Sequence, residues 1–99
     1  MKHKHLGVFI IRFEYPEALT EARDKLTTLL LQYHFSATVA DKHGVARQLP
    51  ANTWAIASFM SLAEITVFTQ KIITIIPNFA PDINVMARDD YFLQALNKA

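Results

Sequence analysis

The chain has 99 residues, 52% of them hydrophobic, which is enough for one domain with a real core and too apolar for disorder. A formal net charge of +1 excludes a bulk electrostatic attraction to polyanions, so any nucleic-acid contact has to come from a local basic patch. The absence of cysteine excludes a disulfide framework and a thiolate metal site.

Residues 1–5 read as a loose, disordered tail. Its His3 and His5, with no carboxylate beside them, do not make a metal site. The apolar run that follows is broken by Arg12 and Glu14, too early for a signal-peptide core. The later run from Ile65 to Ile76 is interrupted by Thr66, Thr69, Gln70, Lys71 and Thr74, short of the about 20 apolar residues of a membrane span. The expectation is a soluble, cytoplasmic protein.

Residues 6–14 are β-branched and aromatic-rich and predict a central strand. Alternation puts Phe9, Ile11 and Phe13 on one face and Val8, Ile10, Arg12 and Glu14 on the other. Pro16 and Glu17 predict the first turn of a helix whose apolar stripe is Leu19, Ala22, Leu26, Leu29, Leu30 and Tyr33, ending near His34. Residues 35–40 predict a second strand. Asp41 to Gly44 then reads as a tight turn that brings Arg47 back towards that strand.

Pro50 to Asn52 mark another turn, and residues 53–59 predict a third strand with Trp54, Ile56 and Ser58 on one face. Ser61-Leu62-Ala63-Glu64 is a capping box opening a second helix with the stripe Leu62, Ile65, Phe68, Ile72, Ile75 and Ile76, stopped by Pro77. Residues 82–88 predict a fourth strand, and Asp89 the N-cap of a short helix running to Lys98. The order β-α-β-β-α-β predicts an α+β, ferredoxin-like fold: a four-stranded antiparallel sheet, two helices on one face, and a short C-terminal helix. The other sheet face is expected to be bare.

The segment from Val39 to Pro50 carries the densest set of chemistry-bearing side chains. Cleavage of RNA by its own 2′-hydroxyl needs proton transfer and stabilisation of a charged phosphate. A histidine can move protons near neutral pH, and an arginine can hold a phosphate with paired hydrogen bonds. His43 and Arg47 are therefore the candidate catalytic pair, beside the plainer reading of a solvent-facing hairpin tip. Arg12 and Arg88 are candidates for a basic patch on the bare sheet, with Lys42, Arg23 and Lys25 extending it; ordinary solvated charges are the alternative. Ferredoxin-like nucleases of the CRISPR adaptation type place a metal-binding acid at the end of the first strand, which would imply Glu14 here; a hard cation needs more oxygen ligands than one carboxylate, so no cofactor is expected, with a divalent metal left as the alternative.

Val39-Ala40-Asp41, Gly44 and Arg47-Gln48-Leu49 together resemble the GhoS family, antitoxins of type V toxin–antitoxin systems. Phe13-Glu14-Tyr15-Pro16, His34-Phe35-Ser36 and Asp89-Asp90-Tyr91-Phe92 fit the same resemblance in order and spacing, over roughly residues 8 to 94. The resemblance implies a ferredoxin-like fold and an endoribonuclease that cuts the single-stranded messenger of a small membrane-damaging toxin. It also implies action on RNA rather than on the toxin, with no DNA or membrane partner, as a monomer or homodimer. Relatives can carry a further basic residue on the first helix, where this chain has Thr27. The alternative is a non-catalytic ferredoxin-like module that binds RNA or protein.

Overall fold

A computed structural model describes residues 5–97. Most of the expected N-terminal tail and Lys98, the expected end of the last helix, lie outside the described residues; His5 and Leu6 are exposed and carry no regular structure. The elements run β1 (Gly7–Glu14), α1 (Thr20–Gln32), β2 (Thr38–Ala40), β3 (Ala46–Gln48), β4 (Thr53–Ser58), α2 (Leu62–Ile73), β5 (Asp82–Ala87) and α3 (Arg88–Asn97). All strand pairings are antiparallel, and β1 is central, in the order β4-β1-β5.

The alternation in β1 partitions the interior as expected. Phe9, Ile11 and Phe13 join Leu26, Leu29 and Leu30 of α1 and Ile65, Ile72 and Ile73 of α2 in the larger core. Trp54 packs against this core instead of facing solvent. Its flank is closed by Tyr15, which stands edge-on to Phe79 at 5.0 Å and donates its hydroxyl to Asn52 at 2.6 Å.

The expected four-stranded sheet is not what forms. Three strands make the main sheet, and β2 and β3 make a separate two-stranded ribbon. The chain does reach the edge of β4, but only Ser36 pairs there, exchanging both backbone hydrogen bonds with Ala55 at 2.7 and 2.8 Å. The Ser36 hydroxyl then accepts the amide of Thr38, which offers the backbone a local partner in place of the ladder. From Thr38 onward the chain pairs with β3 instead, through Thr38 with Gln48, Val39 with Arg47 and Ala40 with Ala46.

That departure changes the second sheet face. Ile10, Val39, Leu49 and Ala55 are all buried together, with Val8, Met86, Tyr91 and Phe92 packed around them. The ribbon and α3 therefore cover a surface expected to be bare, and Ile10 is 1% exposed. The expected basic patch on an open sheet is corrected accordingly.

Smaller differences have local causes. Residues 16–19 form a turn closed by the Leu19 amide on the Pro16 carbonyl, and Leu19 holds a non-helical ψ of 58°, so α1 starts later than Pro16. The capping box at Ser61 and Glu64 forms with both of its hydrogen bonds. After Ile73 the helix tightens to bonds three residues apart, which turns Ile75 outward while Ile76 stays buried. Leu62 is also exposed, and Thr69 and Ile73 take the buried places instead. Asp89 lies inside the first turn of α3 rather than at its cap, because Arg88 already belongs to the helix.

Candidate functional site

Asp41 organises the ribbon. Gly44 takes φ +76°, a left-handed conformation that glycine adopts without strain, and its amide closes the turn on the Asp41 carbonyl at 2.9 Å. One Asp41 carboxylate oxygen accepts the amides of His43 and Val45 at 2.9 and 3.0 Å, and the other accepts Nε of Arg47 at 2.8 Å. The Arg47 guanidinium, with the Val45 and His43 amides behind it, holds the Asp41 carboxyl below the ordinary carboxylate range. The turn forms where Asp41 to Gly44 predict it, and the capping by Asp41 is an addition to that expectation. The signal was present: an aspartate three residues ahead of a glycine is the spacing at which its side chain caps the turn's amides.

This bonding orients Arg47 and leaves its Nη groups without a hydrogen bond among the described residues. Lys42 and His43 stand exposed at the tip, and the His43 imidazole makes no side-chain hydrogen bond there. Arg88, at the start of α3, reaches back to the Ala40 carbonyl at 3.5 Å and pairs with Asp89 at 3.6 Å. Because Val39 pairs with Arg47 and Ala40 meets Arg88, the fold brings Arg47 and Arg88 to the same short stretch of β2. The candidates thus group as Lys42, His43 and Arg47 on the ribbon with Arg88 reaching it at Ala40, and Asp41 and Asp89 pair with the two arginines of that group.

The structure does not add Arg12 to that group. Arg12 pairs with Thr53 on one side and Asn84 on the other, whereas Ala87, the residue before Arg88, pairs with Phe9. Arg88 is thus level with Val8, and four strand positions place it about 13 Å from Arg12 along the sheet. Arg12 is instead paired with Glu14 at 3.1 Å. Glu14 also lies opposite Asp82, an acid that inspection of β1 alone did not reveal. Among the described residues no three His, Cys, Asp or Glu side chains come together in a way that could hold a metal ion. Arg23 and Lys25 are on α1, in the layer beyond the opposite sheet face, where they pair with Asp24 and Glu21 at 3.8 and 3.7 Å. They do not extend the ribbon's group.

The covered face keeps an opening, a cleft of about 380 Å³ where the ribbon runs out at Pro50 and Ala51. Register defines its floor: Thr53, Arg12 and Asn84 form a polar row across the three strands, next to an apolar row of Ala55, Ile10 and Met86. Tyr91 and Gln94 of α3 form the wall. Neither residue had a role assigned from sequence, since a helix stripe alone does not say which strand row it overhangs.

No described helix is long and apolar enough to cross a membrane. A family model described as "Endoribonuclease GhoS" matches residues 1–94 of the 99-residue chain. The match spans the ribbon, the sheet and the wall of the cleft alike, and on that extent the chain belongs to the GhoS family of endoribonucleases.

Proposed function

We propose that this protein is an antitoxin of a type V toxin–antitoxin system that cuts the single-stranded messenger RNA of a small membrane-damaging toxin in the cytoplasm, and so blocks the toxin's synthesis. Membership in an endoribonuclease family supports the RNA-cutting part of this reading. The core is read as ferredoxin-like with its second strand peeled from the sheet edge, since Ser36 lies beside β4 where that strand would pair.

The observation that carries the site assignment is the Arg47 side chain, oriented through Nε by Asp41 with its Nη edge left for a ligand. A guanidinium held in this way suits a phosphate, which it can grip with two parallel hydrogen bonds. Cleavage then proceeds by attack of a ribose 2′-oxygen on the adjacent phosphorus. The bond from phosphorus to the 5′-oxygen breaks, giving a 2′,3′-cyclic phosphate and a free 5′-hydroxyl. His43 takes the proton from the 2′-hydroxyl while water protonates the departing 5′-oxygen, or water takes the first proton and His43 supplies the second, and Arg47 stabilises the charge that builds on the phosphate. Lys42 and Arg88 steer the strand. An unpaired region is required because the ribose and phosphate must turn into line for the attack.

Incubation of the pure protein with end-labelled unpaired RNA, with and without chelator, tests this. Cleavage should survive chelator and fall by about a hundredfold or more in His43→Ala and Arg47→Ala. Full activity in both variants overturns the assignment of these residues, and a stable complex with no cleavage by the wild-type chain overturns the enzymatic reading.

A further inference from the structure

We propose that the cleft between the end of the ribbon and α3 is a subsite for one unpaired nucleotide, a base lying against the open sides of Tyr91 and Met86 with its phosphate at Arg12. The inference rests on the reading of single-stranded RNA as substrate and adds where a nucleotide away from the reacting bond is held.

The size fits, since about 380 Å³ is at the small end of the roughly 300–1,000 Å³ of small-molecule pockets. The chemistry is divided as a nucleotide requires. The half-buried Met86 and Tyr91, with Pro50 across from them in the lining, offer apolar surface for a flat ring. Phe92 meets the Tyr91 ring edge-on at 5.5 Å, and both pack on the Ile10 cluster, which fixes where the Tyr91 ring stands. Asn84 and Gln94 stand at the mouth, where their amides can meet the hydrogen-bonding edge of a base.

Charge points the same way. Arg12 is the charged residue of the lining, and no carboxylate belongs to it. Its bond to Glu14 is between two side chains that are 54% and 60% exposed, and such a pair is weak enough to exchange for a phosphate. The cleft is also on the path of the strand. Pro50 is three residues beyond Arg47, about 10 Å of extended chain, so one RNA strand can touch the ribbon's cations and enter the cleft within a nucleotide or two.

The test uses the full chain and a fluorescently labelled single-stranded oligoribonucleotide of mixed sequence, 2′-O-methylated throughout so that it cannot be cut. Binding is followed by anisotropy over a range of salt concentrations. Tyr91→Ala should weaken binding about tenfold or more, while Tyr91→Phe, which keeps the ring, should stay within about twofold of wild type. Arg12→Gln should lower the slope of log affinity against log salt by about 0.7, the share of one phosphate contact on a single strand. Asn84→Ala and Arg12→Gln alter exposed side chains, so they decide the matter even if Tyr91→Ala fails to fold. If the wild-type chain cuts RNA but all these variants bind like it, the cleft holds no nucleotide and the ribbon assignment stands alone. If the wild-type chain neither binds nor cuts RNA, the functional reading fails and takes this inference with it.

Discussion

Replacing Ile10 with alanine tests how the second sheet face is covered. Ile10 is 1% exposed, enclosed by Val39 and Leu49 of the ribbon segment, Ala55 of β4 and the aromatic pair of α3. Truncation removes roughly three methylene equivalents at about 0.8 kcal/mol each, near 2.4 kcal/mol in all. A cavity term is added because the ribbon and helix relax only partly, giving about 3 kcal/mol within the observed span of about 2–5. For a domain of this size each kcal/mol moves the midpoint by about 4–8 °C, so the melting temperature should fall by roughly 12–24 °C. Urea denaturation followed by far-UV circular dichroism measures the free energy directly. Val39→Ala in the same background should be non-additive with Ile10→Ala by about 0.5 kcal/mol or more, since the two side chains share one cluster. A cost below about 1 kcal/mol for Ile10→Ala, as expected of a residue on a solvated face, refutes the covered-face account.

Thr69 is fully buried in α2, and its hydroxyl finds no hydrogen-bond partner among the described residues, unlike Thr27, Thr28 and Thr66, which donate to the carbonyl four residues back. Thr69→Val should therefore stabilise the protein by about 1 kcal/mol in denaturant titration, and a loss of stability would show that the hydroxyl is satisfied. Ser61→Ala removes one half of the capping box and should cost about 1 kcal/mol by the same assay; no change would mean that the cap is idle. Gly44→Ala should cost about 1 kcal/mol through backbone conformation alone, because the new methyl meets nothing within 4 Å while φ stays at +76°; an unaltered stability would contradict the turn described. Asp41 is held below its ordinary pKa of 3.8, so its contribution is complete above that value and disappears as pH falls through the lower folded value. Carboxyl titration by NMR should show this, and Asp41→Asn should flatten that part of the acid profile; a carboxyl that titrates at or above 3.8 refutes the bonding assigned to it.

Much of the architecture follows from periodicity. The two faces of β1 and the two helices against Phe9, Ile11 and Phe13 are legible because burial on one side imposes alternation. The fate of residues 35–40 is not legible in that way. A strand pattern there is compatible with pairing along β4 as well as with pairing to residues 46–48, and in the structure the Ser36 hydroxyl accepts the Thr38 amide where the chain leaves β4. The ribbon that follows lays Val39 and Leu49 over Ile10, and with α3 it leaves a cleft where a platform was expected. For the candidate site, the turn that places Arg47 could be read from Asp41 and Gly44. The neighbours of Arg12 and Arg88 depend on strand register, which one sequence does not reveal, so the two arginines expected in one patch lie apart.

Cleavage by the ribbon, as proposed, and cleavage by the first helix are separated directly by one comparison. Single-turnover cleavage of the same labelled unpaired RNA should be measured for the wild-type chain, for Arg47→Ala and for Arg23→Ala, each shown to be folded. Arg47→Ala should lose about a hundredfold or more in rate while Arg23→Ala stays within about twofold of wild type. The reverse pattern, an inert α1 variant beside an active ribbon variant, would contradict the claim.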